Sequence, residues 1–139
     1  MNTTRTISAI TTEAALEAIR VALAEASKLG VRISAAIVNP EMNLVAFARG
    51  DNATPHSIET SRRKANTSAS TGRATGWMSG ELATSLPMGS DNKLTNIPGD
   101  VPLRFDGALA GGLGIAGGTV EQDAAIANAV LKALSAELV

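Results

Sequence analysis

The sequence has no cysteine and no tyrosine, and only one histidine, one tryptophan and two phenylalanines in 139 residues. Without cysteine there is no disulfide, thiolate metal site, thiolate haem ligand or cysteine nucleophile. One histidine excludes a multi-histidine metal site within the chain, so no metal centre is expected. Twelve basic residues against thirteen acidic ones give a net charge of −1, which leaves no basic footprint for nucleic acid. So few aromatics also give no base-stacking platform. No apolar run reaches the roughly 18–20 residues of a membrane span. Met1-Asn2-Thr3-Thr4-Arg5-Thr6-Ile7 does not place an apolar stretch after a basic one, so no secretory signal is expected and the cytoplasm is the default location.

The length suits one domain over residues 1–139 with a core of its own, and much of its 45% apolar content is alanine. Leu16, Ile19, Leu23 and Ala26 recur at helical spacing, with Ala15, Ala22 and Leu29 alongside. Thr11 or Thr12 can cap this helix, Glu13 suits its first turn and Gly30 stops it, which predicts a helix over 12–29. Residues 31–38 are β-branched and short, 39–43 are turn chemistry, and 44–49 return as a second strand. Thr54-Pro55 reads as an N-cap followed by proline in the first helical position, with the helix running through Ile58, Arg62, Ala65 and Ala69 to Gly72. A short helix carrying Trp77 and Met78 is expected over 76–86, then a loop over 87–100 long enough to serve as a lid. Asp106-Gly107 predicts a tight hairpin, and Thr119 with Gln122 a capping box that opens the last helix. Hairpins with helices against them make an α+β sandwich on a mainly antiparallel sheet.

Gly112-Leu113-Gly114-Ile115-Ala116-Gly117 satisfies the dinucleotide pattern literally. That motif needs a following strand with an acidic residue about 20 positions on. The sequence instead continues into a helical pattern and stops 22 residues after Gly117, which rejects NAD binding. Gly117 and Gly118 open a helix whose first N–H groups lack internal partners. They could receive an anion there, or Thr119 and Gln122 could satisfy those donors themselves.

Arg49-Gly50-Asp51-Asn52 leads into His56, Glu59 and the basic run Arg62-Arg63-Lys64. His56 is the one side chain whose unperturbed charge change falls near neutrality. At a helix start it can be kept neutral and act as general base or ligand, or it can be an exposed turn residue. The basic run is a solvated face unless one arginine, Arg63 for instance, turns inward to grip a carboxylate in two-pronged fashion. Arg49 can hold a carboxylate in the same way, and Asp51 or Glu59 can orient His56. Trp77 and Met78 either pack or line an apolar cavity. The many serines and threonines lack a nucleophile elbow, which argues against serine catalysis.

Several separated segments, in order, resemble the GlcG/HbpS family, which includes the C-terminal domain of PduO-type corrinoid adenosyltransferases. They are residues 36–49, Asp51-Asn52-Ala53, Ser57-Ile58 leading to Arg63-Lys64-Ala65-Asn66-Thr67, Asp106-Gly107, residues 112–118, Gln122-Asp123 and Ile126-Ala127. The resemblance implies a five-stranded antiparallel sheet flanked by helices, loosely profilin-like, and a homo-oligomer. It also implies a small-molecule or haem-binding role. Haem would need an axial ligand, and His56, Met42, Met78 and Met88 are the usual donors present. Two stretches depart from the family pattern, Asn39-Pro40-Glu41-Met42-Asn43 and Pro98-Gly99-Asp100-Val101-Pro102-Leu103, so the substrate loop is altered. The alternative function is a cofactor-independent isomerase, lyase or hydratase acting on a small organic acid. Its candidate catalytic residues are His56, Arg63 and Glu59, with Arg49, Asp51, Trp77, Gly117 and Gly118 around the ligand.

Overall fold

The computed structural model describes residues 1–139. The elements are α1 (Thr12–Leu29), β1 (Ser34–Val38), β2 (Leu44–Arg49), α2 (Ser57–Thr71), α3 (Leu82–Gly89), β3 (Asp100–Phe105), β4 (Ala108–Ala116) and α4 (Val120–Ala133). The strands form one antiparallel sheet in the order β2-β1-β4-β3. The architecture is α+β as expected, but with four strands rather than five. The N-terminal segment approaches the sheet without joining it. Beyond Val38, β1 parts from β4, and Ile10 N–H donates to the freed Ala110 carbonyl at 2.9 Å. A single bond does not make a ladder.

The helix ends follow from local chemistry. Thr11 accepts from Ala14 N–H at the start of α1, and Gly30 closes it in the left-handed region at φ 69°. At Asp106 and Gly107 both φ values are positive, 51° and 81°, as a type I′ hairpin requires. Thr119 and Gln122 form the reciprocal capping box of α4. Three expectations need correction. The face α1 buries is Ala15, Ala18, Ile19, Val21, Ala22 and Ala26, while Leu16 is 58% and Leu29 46% exposed, because alanines let the helix approach the core closely along that stripe. The second helix starts at Ser57, not Thr54: the Thr54 carbonyl accepts from the Ser57 N–H and hydroxyl, so Thr54-Pro55 is a turn. The third helix spans Leu82–Gly89 with Pro87 inside, which leaves Trp77 and Met78 in irregular chain.

The two faces of the sheet are covered differently. On one, α1 and α4 bury Ile19, Ile126, Val130 and Leu131 against Ile37, Leu103, Leu113 and Ile115. On the other lies α2, whose buried residues are Ser57, Ser61, Lys64, Ala65, Asn66, Thr67, Ser68 and Ala69. A helix this polar contributes little apolar area; it is held by closeness. A Cβ placed on Gly112 or Gly114 would overlap the carbonyl oxygens of Ala65 and Ser61, so the α2 backbone rests directly on β4. The buried hydroxyls on this face find acceptors: Ser68 donates to Val101 O at 3.0 Å and Ser61 to Ile58 O at 3.0 Å. The expected lid, shortened to residues 90–99, is strapped down. Asn66 donates to Lys93 O, Thr95 N–H to the Thr67 hydroxyl, and Asn96 exchanges bonds with Met78.

Candidate functional site

The start of α2, the strap at Ile97-Pro98, the end of β4 and the first turn of α4 enclose an open cleft of about 310 Å³. Its lining includes Thr54, His56, Ser57 and Thr60 on one side and Ala116, Gly117, Gly118 and Val120 on the other, with Lys64 and Asp123 between. The start of α2 is fixed by the buried Ser34–Ser57 hydroxyl pair at 2.7 Å, which ties it to β1. His56 occupies the N-cap position with its side chain making no capping bond, so the imidazole is free to face a ligand.

Lys64 and Asp123 carry the electrostatics. Their side chains are each 3% exposed and meet at 3.2 Å. The Lys64 ammonium also donates to Ile115 O at 2.7 Å, and the second Asp123 oxygen accepts from Gly118 N–H at 2.9 Å. Burial pushes the Asp123 carboxyl above the ordinary carboxylate range, against the opposing pull of Lys64 and Gly118 N–H.

A second buried carboxyl lies close by. Asp100 accepts from Thr75 N–H through one oxygen, while the other is buried without a partner. Burial raises it to about 7, although Thr75 N–H and the Lys64 charge pull it down. For an acid raised in the native state the protonated form is the favoured one. Stability is therefore full below the unfolded value near 4 and falls as pH rises toward about 7. Denaturant titrations from pH 4 to pH 8 should show this decline, and Asp100→Asn should flatten it and stabilise the protein at pH 8. An unchanged slope in the variant would show that Asp100 is not the group responsible.

The residues singled out from sequence are only partly brought together. His56, Gly117 and Gly118 line the cleft. The glycines do so as open wall rather than as donors: Gly118 N–H is taken by Asp123 and Thr119 N–H by Gln122. Arg49 donates to Ala53 O at 3.0 and 2.7 Å and, with Asp51, lines a separate hollow of about 430 Å³ against α1. A guanidinium so held does not join His56. Glu59 faces Arg62 at 3.9 Å rather than the imidazole, and Arg63 lines neither hollow. The inward cation of the basic run is Lys64, not an arginine. Trp77 stacks under Arg73, whose guanidinium carbon is 3.6 Å from the ring centroid, and lines neither hollow.

Lys64, Asp123 and Asp100 are what sequence reasoning missed. A signal for Lys64 existed. It lies three residues after Ser61 and four before Ser68, on the small-residue stripe that faces Gly112 and Gly114.

Residues 10–132 match the family described as haem degrading protein HbpS-like. The chain belongs to that family. Among solved structures, HbpS is similar at 31% identity, with 95% of this chain and 94% of that one covered and a TM-score of 0.84. The PduOC:heme complex is 29% identical, covering 94% and 98% of the two chains at a TM-score of 0.86. Protein ORFY of Klebsiella pneumoniae is 25% identical over 97% of each chain, with a TM-score of 0.89. The TM-scores show that all three share this chain's overall fold. No helix of the chain is long and apolar enough to cross a membrane.

Proposed function

We propose that this HbpS-like protein binds a small molecule in the His56 cleft and that haem is its ligand. The observation that carries the reading is that the chain's one imidazole sits on the rim of a cleft with a polar floor and apolar walls. The donor set suits haem. Of the four candidate iron ligands, only His56 lines the cleft; Met78 is buried away from it, Met88 is 68% exposed and Met42 belongs to the β1–β2 turn. Ile97, Pro98, Ala116 and Val120 offer apolar contact, and Gly117 and Gly118 leave their wall flat. His56 would hold the iron, and the haem would supply redox and dioxygen chemistry when bound. That relatives include HbpS and a PduOC:heme complex supports the same ligand.

The cleft lies at the small end of the roughly 300–1,000 Å³ usual for ligand sites. Ile97 and Val120 on its rim are 52% and 47% exposed. Both facts support a homo-oligomer in which a second copy covers the rest of the ligand. Titration of ferric haem should shift the Soret band to saturation at one haem per chain, and His56→Ala should weaken binding at least roughly tenfold. A wild-type protein giving no shift, or a variant binding as tightly, overturns the assignment.

One observation favours the catalytic alternative. A buried carboxyl raised by its surroundings, Asp123, lies in the same cleft as an imidazole, which is an arrangement suited to moving protons on a small organic acid. In that role His56 is the general acid/base, while Arg63 and Glu59, being outside the cleft, have no part. Turnover of a small organic acid by wild type and not by His56→Ala, in the absence of haem, would select it.

A further inference from the structure

The ammonium of Lys64 has three hydrogens to donate. Ile115 O accepts one at 2.7 Å and Asp123 Oδ2 another at 3.2 Å, and no further acceptor in the chain bonds to Nζ. Buried donors normally find acceptors. This one is buried against protein yet belongs to the lining of the cleft. Gly99 packs beside the nitrogen, and its lack of a side chain is what leaves room there: a Cβ would lie 2.6 Å from Nζ, and the φ of +126° strains any side chain. The second Asp123 oxygen accepts from Gly118 N–H and makes no bond to Nζ.

We propose that Lys64 is the carboxylate anchor of the cleft. Its third N–H would receive an acidic oxygen of the ligand, in haem a propionate, while Ile115 O and Asp123 hold the ammonium in place. This rests on the reading that the cleft takes haem. A carboxylate satisfies the unmet donor with a charge-assisted bond in a site sheltered from water. An ester oxygen there is a weaker, uncharged acceptor. The cleft therefore discriminates between a free acid and its ester at the buried end, while His56 acts at the rim.

The test compares haem with haem dimethyl ester by Soret titration. The wild-type chain should bind haem roughly tenfold to a hundredfold more tightly than the diester, the range expected of one hydrogen bond to a charged group. In the double variant Lys64→Met/Asp123→Leu, which removes the pair without leaving a lone charge, that preference should vanish. Equal binding of both compounds by the wild type overturns the anchor and leaves the haem reading standing. A preference retained in the double variant does the same. Binding of neither compound overturns both.

Discussion

Gly114→Val should abolish folding or lower the unfolding free energy by well over the roughly 1–3 kcal/mol typical of an overpacked core. The obstacle is backbone. A Cβ there would overlap the Ser61 carbonyl oxygen, lie 2.6 Å from Ala65 N and press on Lys64 Cβ at 3.0 Å. None of these can rotate away, so α2 must lift from β4. That movement opens the Lys64–Asp123 pair to water and shifts His56, which stands at the head of the same helix. Native domains hold only about 5–15 kcal/mol in reserve. Gly114→Ala should already be severely destabilising. Gly89→Ala is the control: no atom lies within 4 Å of its Cβ position, so stability should stay within about 0.5 kcal/mol. Urea midpoints of the three variants check the argument. Equal midpoints for Gly114→Ala and wild type would mean that α2 does not rest on the strand.

This dependence on backbone contact explains what sequence could and could not tell. The bounds of α1 were legible because Thr11 and Gly30 act locally, and the β3–β4 hairpin was legible because Asp106-Gly107 dictates its own turn. The start of α2 misled because Thr54-Pro55 fits a helix start as well as it fits the turn it makes. Pro87 misled because a proline, lacking an N–H, ordinarily ends a helix, whereas α3 continues through it to Gly89. The glycines of residues 112–117 read as a dinucleotide pattern lacking its context, and their packing against α2 needs α2 in place to be seen. The cleft was half legible. His56, Gly117 and Gly118 were chosen for their helix-end positions, and those ends do meet. Arg49, Asp51, Glu59, Arg63 and Trp77 were chosen for chemistry alone, and chain direction sends them elsewhere. Lys64 was hidden within a charged run whose neighbours Arg62 and Arg63 are only partly buried, so composition marked the whole run as surface.

Lys64→Met should cost about 3–5 kcal/mol, because it strands the Asp123 carboxylate in the interior with only Gly118 N–H as partner. The cost should depend on pH in a definite direction. Burial already raises Asp123, and the Lys64 charge is the first of the influences that pull it back. Removing that charge lets it rise further, so the protonated form is favoured in the folded chain. At pH 4–5 Asp123 can fold neutral and the loss is modest. As pH rises toward 8 the folded chain must either carry a buried bare charge or hold a proton against the solution, and the loss grows. The double variant Lys64→Met/Asp123→Leu should recover most of the stability at pH 8. What it fails to recover, roughly 1–3 kcal/mol, belongs to the Ile115 carbonyl that has lost its donor and to the Gly118 N–H that has lost its acceptor. Chemical denaturation of the three proteins at pH 5 and pH 8 completes the cycle. A pH-independent penalty for Lys64→Met would show that Asp123 is not left uncompensated, and the electrostatic account of the cleft floor would fail.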